Sequence, residues 1–197
     1  MQGRLMSRDK AIEQYLISRM KLEEWLLLFN LVKAANEGRI HDPGYVLFPG
    51  VDFGPALFRL AIAWFSTLVD KHKDAINVFD VWSELFRAEN QEITEVKALF
   101  DGQLARIRAL RDKVVFHGEK SIVNYFRALI EFDKHKDEVA EPLARFGKLA
   151  EKLVRSEQSE IPDLREKAEM FLVKLRAEFP RDYGEYQDSI QTLLGLT

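Results

Sequence analysis

Apolar residues recur at intervals of three and four along almost the whole chain, and that periodicity confines the fold to packed helices. Ile12, Leu16, Leu22, Leu26, Phe29 and Val32 mark the first helix. Ser7 stands where a cap belongs, with Lys10 in place of the Glu of a capping box, and Gly38 is the natural stop. A helix over 56–69 is apolar on most sides and therefore central. After a break at Asp70–Asp74, a helix from Ile76 to Phe86 carries Phe79, Trp82 and Phe86 at spacings of three and four. The pattern then predicts one helix over 92–117, ended by Gly118, and a long helical stretch over 121–157 that Pro142 must kink or divide. Pro162 opens a further helix, Pro180 ends it, and 183–196 suits one short helix. Strand-like alternation is confined to Tyr45–Phe48. The expected fold is all-α: an antiparallel bundle of four main helices with additional short helices, in a single domain over 1–197.

Residues 38–55 interrupt this pattern with four of the ten glycines and three of the six prolines, so they cannot be helical throughout. Loops this long are often functional, but a covering flap that buries Tyr45, Leu47, Phe48 and Phe53 is the simpler expectation.

Several function classes fall away. The chain of 197 residues has no cysteine, which removes disulfides, thiolate metal sites and cysteine nucleophiles. Its net charge of −3 gives no overall basic field, so any nucleic acid must be held by a local patch. The opening MQGRLMSRDKAIEQ holds no apolar core of signal-peptide length. The stretches Trp25–Phe29 and Ala56–Val69 are too short to span a bilayer. The expectation is a cytoplasmic protein with no membrane partner. Phosphate-loop, dinucleotide, metalloprotease and nucleophile-elbow motifs are missing, and no two of the four histidines have metal-ligand spacing on one helix. No metal and no cofactor is expected. Trp25, Trp64 and Trp82 sit on apolar faces and read as core. The segment Asp70-Lys71-His72-Lys73-Asp74 recurs as Asp133-Lys134-His135-Lys136-Asp137, with flanks that do not match. On a helix its aspartates and histidine face apart, so a solvated charged turn is the expectation.

The segment 106–120 stands out. It holds five Lys or Arg against two Asp or Glu, a local charge of +3 in an acidic chain. Arg106, Arg108, Lys113 and Lys120 are its candidate phosphate contacts. Phe100, Leu104, Ile107, Arg111 and Val114 follow an apolar stripe, and Ile107, Leu110, Val114 and His117 follow its other edge. Arg111 and His117 thus lean inward, roughly 120° apart on an ideal helix, and need polar partners. A second face carries Ala105, Ala109, Asp112 and Phe116, which suggests that the helix is either central or covered by another subunit.

Arg111-Asp112-Lys113-Val114-Val115-Phe116-His117 resembles the motif of the HEPN superfamily (higher eukaryotes and prokaryotes nucleotide-binding domains): an Arg, a polar residue, then a His after four to six positions. The bundle with its broken Asp70–Asp74 connection looks most like the abortive-infection branch. The resemblance implies a metal-independent endoribonuclease of toxin or phage-defence type. RNA's own 2′-hydroxyl attacks the adjacent phosphate, with His117 as general acid or base, Arg111 as phosphate clamp and Asp112 orienting one of them. It implies a homodimer whose two motifs line one cleft, RNA as substrate, and an antitoxin protein as a possible partner. The alternatives are a non-catalytic HEPN-like module that binds a nucleotide or protein, and an unrelated helical scaffold in which Arg111 pairs with a carboxylate such as Asp70 or Asp74.

Overall fold

In the computed structural model, which describes residues 7–40, 53–70, 75–110, 112, 121–180, 184, 187–188 and 191–192, the regular elements are helical. They are α1 (Arg8–Asn36), α2 (Phe53–Leu68), α3 (Val78–Leu85), a 3-10 turn (Arg87–Glu89), α4 (Asn90–Leu99), α5 (Leu104–Leu110), α6 (Ile122–Glu160) and α7 (Leu164–Glu178). Among the described residues the one extended pairing is an isolated bridge between Val69 and Asn77. The fold is all-α.

Local chemistry accounts for the ends of α1. The Ser7 side chain accepts from the Lys10 amide at 3.4 Å. At the other end Gly38 takes φ +67°; its amide donates to the Ala35 carbonyl, and the Arg39 amide to that of Ala34. That double closure is the Schellman motif, which needs a residue free to adopt positive φ. Asn77 caps α3 by accepting from the Phe79 amide at 3.1 Å, and its amide group reaches back to the Val69 carbonyl at 3.3 Å. It thus ties the start of α3 to the end of α2.

Phe146 of α6 lies at the centre of the core. Its ring sits 4.8 Å from Phe65, 5.0 Å from Trp25, 5.2 Å from Trp82, 5.6 Å from Phe79 and 6.4 Å from Phe100. Those rings come from α1, α2, α3 and the end of α4, so one side chain welds five segments. Trp25 also donates its indole N–H to the Ala61 carbonyl at 2.9 Å. Contacts between α1 and α6 run from Arg8 with Glu160, through Tyr15 with Glu157, to Trp25 with Phe146, so the two helices run in opposite directions. Beside them lies a buried polar link. Glu157, 7% exposed, accepts from the Tyr15 hydroxyl at 2.8 Å and pairs with Arg19 at 3.1 Å. Burial, reinforced by Glu157, holds the Tyr15 phenol well above its ordinary pKa.

Three expectations change, and of the two alternatives left open at Pro142, division is removed. The helix expected over 92–117 is divided: α4 ends at Leu99, and the chain turns through 100–103 before α5. Gly102, at φ +85°, makes that turn possible. Pro142 does not divide α6, which runs unbroken for 39 residues. Phe132 and Val139 before it, and Leu143 and Phe146 after it, are buried, so packing on both sides holds the helix across the missing amide. Pro162 lies in the turn ahead of α7, which starts at Leu164. Asp133–Asp137, expected in a charged turn, lies inside α6. The flap residues 41–52 and most of the tail fall outside the described residues.

Candidate functional site at the α5–α6 face

The turn at Gly102 aims α5 across α2 and α6. Ile107 is buried and Leu104 packs on the core, which fixes the inner side of this two-turn helix. Ala105 and Ala109 on its opposite side are exposed. Of the other two residues of that face, Asp112 is half-buried and Phe116 lies outside the described residues.

The charged side chains of α5 are spoken for within the chain. Arg106 donates to Glu138 of α6 at 2.6 Å, and Gln103 adds a second donor to the same carboxylate oxygen at 3.3 Å. The other oxygen of Glu138 meets His135 Nδ1 at 2.6 Å, and His135 Nε2 lies 3.4 Å from Glu131. Hydrogen bonds from His135, then Gln103 and Arg106, hold the Glu138 carboxyl down at about 2. Arg108 pairs with Asp70, at the end of α2, at 3.6 Å. A third bridge, Arg59 of α2 to Asp133 of α6 at 3.3 Å, completes the polar rim.

Chemically this rim is a clasp. A histidine held by a carboxylate is the usual arrangement of a general base, but here the second imidazole nitrogen also faces a carboxylate. Direct nitrogen–oxygen contacts leave no room for a metal between these groups, and among the described residues no cluster of three or more His, Asp or Glu is placed to hold one.

Of the residues singled out in the sequence, Arg106 and Arg108 lie on α5 as described, and Asp112 is half-buried two residues beyond its end. Arg111, Lys113, His117 and Lys120 lie outside the described residues, as does Asp74. The sequence reading did not single out Glu138, gave Asp133 and His135 only as part of a solvated charged turn, and named Asp70 as a partner for Arg111, whereas Asp70 pairs with Arg108. The signal for three of them was the repeated Asp-Lys-His-Lys-Asp segment. The first aspartate of each copy holds an arginine, Asp70 with Arg108 and Asp133 with Arg59, and the second copy supplies His135.

No helix among the described residues is long and apolar enough to cross a membrane. Comparison with known proteins finds no matching family model, no matching curated protein and no matching solved structure.

Proposed function

We propose that the protein is a metal-independent endoribonuclease of toxin or phage-defence type. The observation that carries the reading is the Arg111-Asp112-x4-His117 sequence at the exit of α5, in a chain that is all-α. The exposed Ala105–Ala109 face supports it, because a second copy has an open surface to meet beside the motif. In this mechanism a base removes the proton of an RNA 2′-hydroxyl, and the oxygen attacks the adjacent phosphorus. The 5′-oxygen leaves with a proton from an acid, giving a 2′,3′-cyclic phosphate and a 5′-hydroxyl. Histidine as a residue type titrates near neutrality, which suits His117 to one of the two roles. The His117 of a second copy takes the other. Arg111 grips the phosphate and stabilises the charge that gathers on it, and Asp112 orients one of these groups.

A second reading, a non-catalytic module that binds a nucleotide or protein, draws on one specific observation. Arg106 and Arg108 already face the carboxylates of Glu138 and Asp70, so two of the five cations in 106–120 have an opposite charge of the chain beside them. The test is incubation of mixed-sequence RNA with the full chain in EDTA, beside His117→Ala and Arg111→Ala. Cleavage by the parent alone, leaving 2′,3′-cyclic ends, supports the enzyme. Loss of cleavage in all three, with folding intact, leaves the binding module. Equal cleavage by all three refutes the assignment of residues.

A further inference from the structure

Away from the α5–α6 face, α1 is apolar on two sides. Its inner side, which includes Ile12, Trp25 and Phe29, belongs to the core. On its other side Ile17, Met20, Glu24, Leu27, Leu31 and Ala34 follow one another at steps of three and four residues, a seven-residue repeat. On an ideal helix that row lies roughly 180° from the mean direction of the buried residues of α1. Leu27 is 64% exposed and Glu24 is exposed, while Ile17, Met20, Leu31 and Ala34 are half-buried. The face of a surface helix that points away from its own core is ordinarily polar. Here five of its six residues are apolar, and a seven-residue apolar repeat is the seam along which two helices pack.

Charge decides what fits the seam. Lys21 flanks it, half-buried, on the side toward which Glu24 leans. Arg19 and Glu23, their neighbours in sequence, pair with each other at 3.3 Å, whereas among the described residues Lys21 and Glu24 enter no ion pair within the chain. Two copies of α1 laid in the same direction would set Glu24 against Glu24, and like charges repel across a seam. Laid in opposite directions about a two-fold axis at Leu22, the same helices set Ile17 against Leu27 of the second copy. Each Lys21 then lies one residue along the axis, about 1.5 Å, from the level of Glu24 in the other copy, and the symmetry makes that ion pair twice. In this orientation the row is complementary to itself.

We propose that the outer face of α1 binds a second copy of this chain as an antiparallel helix pair centred near Leu22, with reciprocal Lys21–Glu24 bridges. This face is separate from the one on α5 that the ribonuclease reading gives to a second copy. One helix a side makes a small interface, so the dimer forms on concentration and dissociates on dilution. Sedimentation equilibrium of the full chain across a concentration series tests it. The wild type should dimerise. Leu27→Asp, at a site mostly open to solvent in the single chain, should raise the dissociation constant about tenfold or more. Lys21→Glu and Glu24→Lys should each raise it about tenfold, since each puts like charges together, and the double variant should return to within about threefold of the wild type. Far-ultraviolet circular dichroism checks that each variant is folded. A chain that stays monomeric up to about 1 mM overturns the proposal. Dimerisation that Leu27→Asp leaves unchanged overturns it too and assigns the contact to another face. Single charge variants that bind like the wild type, or no recovery in the double variant, overturn the reciprocal pairing and with it the proposal.

Discussion

Replacing Phe146 with alanine should be among the most damaging single changes to this fold. The ring is fully buried and touches five aromatic rings carried by four other segments of the chain. A phenylalanine of this kind buries roughly 150–250 Å², and at about 25 cal/mol per Å² its transfer alone is worth about 4–6 kcal/mol. Alanine retains a small part of that, while the void left behind adds a penalty wherever the walls cannot close. Here the walls are large rings fixed on separate helices, so collapse would have to move several helices together. The expected cost is about 4 kcal/mol, a large share of a total stability of about 5–15 kcal/mol. Phe146→Leu, which keeps most of the volume, should cost about 1.5 kcal/mol. Leu27→Ala, at a site mostly open to solvent, should cost less than about 0.5 kcal/mol. Equilibrium urea unfolding followed by tryptophan fluorescence is the assay, because Trp25 and Trp82 flank the ring. A loss below about 1.5 kcal/mol for the alanine variant, or one matching Leu27→Ala, would refute the reasoning.

Gly102→Ala should destabilise by about 1–2 kcal/mol through backbone strain alone, since φ is +85° and a Cβ there meets nothing within 4 Å; urea midpoints check it, and an unchanged midpoint contradicts the turn. The Glu138 carboxyl should titrate near 2 by carbon NMR and move back toward the usual carboxylate range in His135→Ala, and to a lesser degree in Arg106→Ala. Its folded pKa lies below its unfolded one, so the clasp's contribution is present above about pH 4.3 and is lost as pH falls through about 2. Glu23 behaves in the opposite sense, because burial, with Glu157 adding to it against Arg19, raises its pKa. Wild-type stability should therefore decline relative to Glu23→Gln as pH rises from about 4.3 through that raised value, and parallel stability curves for the two proteins would show that burial at this site does not act on the carboxyl.

The α1 caps were legible at Ser7 and Gly38 because capping is settled within four residues of sequence. Absence of strand alternation was equally local, and the all-α class followed from it. The division of 92–117 was written in Asp101-Gly102, a turn dipeptide, but Phe100, Leu104 and Ile107 kept the helical spacing across it and masked the break. At Pro142 the sequence left a kink and a division both open, and division is avoided through buried contacts with residues far away in the chain. At the candidate site the cations of α5 could be read, and their partners could not. Glu138 lies 32 residues from Arg106, and Asp70 lies 38 residues from Arg108, so their meeting depends on how α2, α5 and α6 assemble. A local charge count sees the +3 and misses its neutralisation.

Cleavage of a short RNA of mixed sequence, compared with the same strand carrying 2′-deoxyribose at each cleaved position, tests the central claim most directly. The account predicts that the full chain in EDTA cuts the all-ribose strand and leaves the 2′-deoxy positions intact, because the 2′-oxygen is the nucleophile. Cleavage at the deoxy positions at a comparable rate would contradict it, as would failure of the folded protein to cut the all-ribose strand.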